Sequence, residues 1–306
     1  MSENKSCKVV CFGEILWDNL PNGRKPGGAP MNVAYHLNKL GLESNLISRV
    51  GNDQNGKELL DFIRSKGLST EFCQQDDTYK TSTVEVSVGA DHEVKYEIVA
   101  PVAWDFIEHE SRLDDLVSKA DAFVFGSLAA RNQVSDQTLQ GLLEKATYKV
   151  FDVNLREPHY TRSGISQLLA KASLLKLNIH ELTLLSSWFS TSCQTEKERI
   201  SVLQDQFNVK EILITKGASG ASFYTDTDQY NYPAYKVQVN DTIGSGDSFL
   251  AAFLSQKLKN APIEECLNYA VALGAYVTMQ AGACPEYSKD DLLRFISKNE
   301  LIKKQI

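Results

Sequence analysis

Short apolar runs alternate with amphipathic stretches along most of this chain. Lys8-Val-Val-Cys-Phe-Gly-Glu14 is an apolar run closed by glycine, the pattern of a buried parallel strand. Residues 15–25 are mixed and suit a loop or a small hairpin. A helical pattern then runs through Val33, Leu37 and Leu40 to a stop at Gly41. A strand over 45–51 and an amphipathic helix over 56–66 follow. Further strands are predicted at 122–126, 149–153, 174–177, 211–215, 221–224 and 235–239. Helices are predicted at 135–145, 165–172, from 178 onward, 196–206, 263–280 and 289–297. Repeated β–α units of this kind predict a mostly parallel sheet with helices on both faces, and the length of 306 residues allows one large α/β domain or two smaller ones.

The pattern changes between residues 71 and 105. Thr81-Ser-Thr-Val-Glu-Val-Ser-Val88 alternates, Gly89-Ala-Asp91 turns, and Val94-Lys-Tyr-Glu-Ile-Val99 alternates again. This predicts an antiparallel hairpin with one exposed face, closed by Trp104 and Asp105. An isolated hairpin is marginally stable, so it should pack on the body, a substrate or a second subunit. A flap or lid is expected.

A second irregular stretch, Asp241-Thr-Ile-Gly-Ser-Gly-Asp247, leads into a helix marked by Leu250, Phe253, Leu254 and Leu258. Small residues before a helix leave backbone N–H groups free at the positive end of the macrodipole, an anion site. Asp247 is then a carboxylate where an anion would bind. Taken alone, the stretch suits a capped helix start first.

The formal net charge is −7 and there is no long basic block, which argues against nucleic acid or an anionic membrane as partner. Phosphates would have to be held by local dipoles, a few cations or a metal. The six cysteines form no CxxC pair and no zinc spacing, and Cys7 and Cys11 flank a strand as packed thiols. The first residues, Met-Ser-Glu-Asn-Lys, lack the apolar run of a signal peptide, and no run of roughly 18 apolar residues occurs. A reduced, cytoplasmic protein is expected.

Ligand crevices of such sheets lie beyond the carboxyl ends of the strands. Residues falling there are Asp18, Asn154, Arg156, Asn178, Glu181, Thr215, Gly217 and 244–247. Asp18 suits either a loop acid or an acceptor for vicinal hydroxyls. Gly27-Gly28 suits a plain turn or a close backbone approach to a ligand, with Asn32 one helical turn on. Asn154 and Arg156 suit turn formers or a phosphate-side clamp. Glu181 suits a helix cap or, with Asn178, a hydrated Mg²⁺. Thr215-Lys-Gly217 suits a strand exit or a cradle for nucleotide phosphates. Neither GxGxxG after a strand nor GxxxxGK[ST] is present, and there is no HExxH or GxSxG. The five histidines fall into no paired arrangement and are expected to be structural or surface residues.

Gly27-Gly-Ala-Pro-Met-Asn-Val-Ala34 resembles the N-terminal signature of the ribokinase-like (PfkB) carbohydrate kinases, and Asp241-Thr-Ile-Gly-Ser-Gly-Asp247 resembles their C-terminal signature. The resemblance spans essentially the whole chain. Within the family, Val153-Asn154-Leu-Arg156, Tyr96-Glu-Ile and Val102-Ala-Trp-Asp105 look most like bacterial fructokinases. Ser245 stands where alanine is more usual, and Asp152-Val-Asn154 replaces Asp-Pro-Asn. The resemblance implies a three-layer α/β/α domain over 1–306 with a small β lid, here about 14–26 and 71–106, often used in dimer contacts. It implies transfer of the ATP γ-phosphate to a primary hydroxyl of a monosaccharide, most readily fructose. Asp247 would be the general base, with Gly244, Ser245 and Gly246 as anion hole. Asp18, Gly27, Gly28, Asn32, Asn154 and Arg156 would hold the sugar. Asn178, Thr215, Gly217, Gly220 and Asn268 would line the nucleotide site. Mg²⁺ would be held through water near Glu181, and a K⁺ ion would sit by Asp241 and Ile243. Other acceptors (2-keto-3-deoxygluconate, ribose, a nucleoside) and a non-catalytic sugar-binding relative stand as alternatives.

Overall fold

In a computed structural model, residues 7–20, 23–88, 94–299 and 301–302 are described. The chain opens with β1 (Lys8–Phe12), β2 (Leu16–Leu20), β3 (Gly23–Gly27), α1 (Ala29–Lys39), β4 (Glu43–Gly51), α2 (Gln54–Ser65) and β5 (Cys73–Asp76). It continues through β6 (Ser82–Val88), β7 (Val94–Ile98), α3 (Ser111–Ser118), β8 (Ala122–Gly126), α4 (Gln133–Leu143), β9 (Lys149–Asp152), α5 (Arg162–Leu169), β10 (Leu174–Asn178) and α6 (Ile179–Ser187). The last elements are α7 (Glu196–Phe207), β11 (Glu211–Thr215), β12 (Ala221–Tyr224), β13 (Gln229–Tyr232), α8 (Ser245–Lys257), α9 (Ile263–Thr278) and α10 (Lys289–Lys298).

Nine strands form one sheet in the order β13-β12-β11-β10-β9-β8-β1-β4-β5. Every pair from β5 to β11 is parallel, and β12 and β13 close the far edge antiparallel. Strand residues alternate between the two faces. Val9 and Cys11 of β1 therefore join a core with α1, α2, α8, α9 and α10, while Val10 and Phe12 join a second core with α3 to α7. These are the three expected layers. Helix α8 is buried from Ser248 to Ser255 on all sides, because α1 and α9 flank it.

A second sheet, in the order β3-β2-β6-β7, stands apart from the first. The hairpin of β6 and β7 is antiparallel, as its alternation predicts; the turn at 89–91 lies outside the described residues. The lid is narrower than 71–106. Residues 73–76 pair in parallel with β4 as the edge of the large sheet, so they belong to the body. Trp104 does not close the lid either: it is fully buried in a short 3-10 turn (Ala103–Phe106) within the second core. The strand expected at 235–239 does not form; Tyr235 makes a single bridge to Leu301, and the edge strand lies earlier, at Gln229–Tyr232.

Candidate active site

The crevice lies beyond the carboxyl ends of β1, β9, β10 and β11, under the small sheet. One cavity of about 440 Å³ is lined by Asp18, Gly27, Gly28, Asn32, Asn154, Arg156, Asn178, Glu181 and residues 242–247, with Leu16, Val84 and Ile98 supplying the lid side. A second cavity of about 400 Å³ is largely apolar and contains Thr215, Gly217, Gly220, Tyr235, Phe249 and Val271. Thr215, Thr242, Ser245 and Gly246 line both. The loop before α8 is therefore the junction of the two cavities, and Asp247 faces only the first.

Gly244 starts α8 at φ 74, a left-handed conformation open to glycine. A β-carbon there would also come within 2.5 Å of the Ala283 β-carbon. The Ser245 N–H reaches back to Thr242 O at 3.3 Å, which takes one of the three expected anion-hole donors. Among the described residues no acceptor faces the N–H groups of Gly244, Gly246 and Asp247, so three donors remain for an anion. Asp241 anchors the loop: its carboxylate accepts from Ile243 N (3.0 Å) and Gly282 N (3.1 Å). Against the cost of burial, these bonds and Lys25 hold its pKa below the ordinary range.

Asp247 Oδ2 accepts from Asn32 Nδ2 at 2.8 Å. Burial, then the nearby Asp152 carboxylate, pushes the Asp247 pKa up to about 6, opposed by Lys176, Asn32 and Arg156. A carboxylate with its pKa raised this close to neutrality is suited to taking a proton and still being ionised when it does so. On the lid side, Asp18 is also raised, by burial, against the pull of Arg156 and Lys25.

The Gly27-Gly28 pair is more than a turn. A β-carbon at Gly27 would lie 2.5 Å from Asp18 Oδ2, and one at Gly28 would overlap the Glu14 carbonyl oxygen. Gly28 also holds φ 118 as the residue before α1. Gly28→Ala is therefore expected to cost about 2–4 kcal/mol in denaturant unfolding and to raise the KM for the acceptor by widening the gap between β1 and α1. Asn154 turns the chain after β9 at φ 38 and brings Arg156 to the cavity.

Asn178 and Glu181 form a capping box at α6: Asn178 Oδ1 accepts from the N–H groups of His180 and Glu181, and Glu181 accepts from Asn178 N and Leu155 N. Both Glu181 oxygens are thus engaged, and burial raises its pKa. No cluster of three or more His, Cys, Asp or Glu able to hold a metal occurs among the described residues. This donor set fits Mg²⁺ bound through water and substrate oxygens rather than in a protein cage. Asn268 does not line either cavity. Its carboxamide accepts from the Tyr235 hydroxyl at 2.7 Å, which places it behind a residue that does.

The chain matches the family described as "pfkB family carbohydrate kinase" over residues 12–290. It belongs to that family. The kinase is 29% identical to "Probable fructokinase-5" of Arabidopsis thaliana over 90% of this chain and 93% of the relative. Its backbone is similar to that of fructokinase with bound ATP from Xylella fastidiosa, with a TM-score of 0.83 at 24% identity over 95% and 98% of the two chains. It is similar as well to a fructokinase double mutant from Vibrio cholerae O395 in its fructose, ADP and potassium ion bound form, with a TM-score of 0.82 at 24% identity over 95% and 98%. The fold of the kinase is ribokinase-like.

Two buried charged residues that line the first cavity, Lys176 and Glu14, are absent from the sequence expectations. Lys176 is buried and paired with Asp152, Nζ lying 2.9 and 3.0 Å from the two carboxylate oxygens. A β-carbon on Gly246 would meet Lys176 Nζ at 3.1 Å, so the ammonium lies directly behind the start of α8. Burial works against this charge, but Asp152 and Asp247 outweigh it and the pKa stays above the ordinary lysine value. The signal was present: Lys176 is the one charge in β10, and it occupies a register position paired with Asp152, the acid that ends the apolar Val-Phe run of β9. Glu14 is the other. It is 3% exposed, lines the first cavity, and burial pushes its pKa up to about 7. His36 is structural, as expected: fully buried and neutral, it bridges Tyr287 Oη and Ala283 O, each at 2.9 Å.

Proposed function

We propose that this carbohydrate kinase is an ATP-dependent fructokinase that converts fructose to fructose 6-phosphate. The observation that carries the reading is the shared wall: one polar and one apolar cavity meet at Thr242, Ser245 and Gly246, with Asp247 on the polar side alone. The names of the relatives supply the sugar and the nucleotide.

Fructose occupies the polar cavity, where Asp18, the Gly27-Gly28 backbone, Asn32, Asn154 and Arg156 surround its hydroxyls. ATP lies in the apolar cavity, its phosphates running past Thr215, Gly217 and Gly220 to the junction, beyond which Asn178 lines the polar side. Phosphoryl transfer depends on positioning and charge stabilisation more than on covalent chemistry. Asp247 takes the proton of the primary hydroxyl, and the N–H groups of Gly244, Gly246 and Asp247 stabilise charge on the transferring group. Lys176 adds a fixed positive charge behind them, the local cation that a chain of net charge −7 requires. Asn178 and Glu181 would flank a Mg²⁺ held through water, and the ion would supply charge neutralisation to the phosphates. Asp241 holds the loop rather than offering a free carboxylate, so a K⁺ ion at this loop would rely on the backbone carbonyls of Asp241 and Ile243.

The six free thiols support a cytoplasmic location, and no helix among the described residues is long and apolar enough to cross a membrane. A homodimer through the lid remains part of this proposal. Trp17 faces away from the cavity and is covered by the chain itself, its indole donating to Asn55 O under the Arg24 guanidinium. Dimer contacts would therefore fall on the β6–β7 half.

An ATP-coupled assay across fructose, ribose, 2-keto-3-deoxygluconate and nucleosides tests the reading. Fructose is expected to give the highest kcat/KM; a different leading acceptor replaces the sugar, and no turnover with any returns the chain to a non-catalytic binder. Because Asp247 works only when ionised, kcat for fructose is expected to fall as the pH drops through about 6. A flat profile from pH 5 to 8 contradicts its role.

A further inference from the structure

Asn32 does not hold the base unaided. It is 4% exposed in the first turn of α1, and its carboxamide has two unlike ends. Nδ2 donates to Asp247 Oδ2 at 2.8 Å, while Oδ1 accepts the Cys284 S–H at 3.3 Å. Turning the amide over would set its oxygen against the Asp247 carboxylate and its N–H against a thiol that is a weak acceptor. The thiol keeps its proton and so remains available as a donor, because burial pushes its pKa up to about 12.

Cys284 is carried on a pinned segment. Ala283 O accepts from His36 Nε2 at 2.9 Å, Pro285 O accepts from Tyr35 Oη at 2.5 Å, and Gly282 N donates to Asp241 at 3.1 Å. Two of these anchors stand on the helix that carries Asn32, and the third stands on the anion-hole loop.

We propose that Cys284 is a positioning residue for phosphoryl transfer: its S–H locks the Asn32 carboxamide in the orientation that presents Nδ2 to Asp247. This rests on Asp247 being the base. The other charged groups around Asp247 are Asp152, Lys176, Arg156 and Glu14, and none of them contacts Asn32 Oδ1.

Cys284→Val removes the donor and adds a methyl group, Cys284→Ala removes the donor and the sulfur's volume, and Cys284→Ser keeps a donor. Val and Ala are expected to lower kcat about three- to tenfold, the range of one lost hydrogen bond. A free amide stabilises ionised Asp247 less, so the acid limb of kcat should move to higher pH by about half a unit to one unit. Cys284→Ser should restore both rate and limb. Thermal melts of all three establish that each is folded, and the shifted limb is a readout that loosened packing alone does not give. Parent-like kcat and limb in the Val and Ala variants overturn the proposal, as does a Ser variant as impaired as Val. Asp247→Asn is the control: if it still turns over, the base assignment itself has failed, whereas an inactive Asp247→Asn beside unaffected Cys284 variants removes the Cys284 role alone.

Discussion

Asp247→Asn is expected to lower kcat by about a thousandfold, leave fructose and ATP binding close to the parent, and raise the melting temperature. The first effect follows from removing the proton acceptor. Binding persists because the amide is nearly isosteric and still accepts the Asn32 hydrogen bond now made at 2.8 Å. The third follows from the raised pKa. The Asp247 carboxyl holds its proton up to about pH 6 in the folded chain, against about 3.9 when unfolded, so between these values the folded state binds more protons. Stability from this group is present at low pH and lost as pH rises through that window. At pH 7 its ionised form therefore costs stability, and a neutral amide removes the cost. Because solvent reaches the cavity, a gain of about 1–2 kcal/mol is expected, a rise of a few degrees. Turnover and calorimetry on one preparation check both. Retained turnover excludes Asp247 as base, and a lowered melting temperature excludes the strained-carboxylate account.

Much of the framework was legible because its signals are local. The bounds of Ala122–Gly126, Glu211–Thr215 and Ala221–Tyr224 follow from apolar runs punctuated by glycine or polar residues. The two glycine-rich segments identify the crevice because backbone approach and helix starts need small residues whatever surrounds them. Residues 235–239 mislead for the opposite reason. One side of this stretch faces the apolar cavity, yet among the described residues its pairing is limited to the single bridge from Tyr235 to Leu301. Residues 73–76 look like lid because Cys-Gln-Gln-Asp lacks the apolar run of a body strand, as an edge position permits. What the sequence order hides most is long-range pairing. Asn32 meets Asp247 and Cys284 only after α1, α8 and the segment after α9 have packed together.

Lys176→Met is expected to reduce both stability and turnover, and for separable reasons. The ammonium and the Asp152 carboxylate expose 9% and 5% of their side chains, and removing one partner leaves the other charge buried without compensation. Such losses run to about 3–5 kcal/mol. Asp247 feels the change as well, because Asp152 raises its pKa and Lys176 lowers it. With the lysine gone, the acid limb of kcat should shift upward from about pH 6. The double variant Asp152→Asn/Lys176→Met separates the two effects. Removing both charges takes away the unpaired carboxylate, so most of the stability should return, while kcat should stay depressed because no cation stands behind Gly246. Denaturant unfolding and fructose turnover of the two single variants and the double test this. If the double variant regains the parent kcat, Lys176 serves only to neutralise Asp152, and the phosphoryl group is stabilised by the α8 N-terminus and metal alone. If Lys176→Met is as stable as the parent, the pair is solvated enough to be dispensable, and Lys176 is not the fixed charge that the acidic chain supplies to its phosphate.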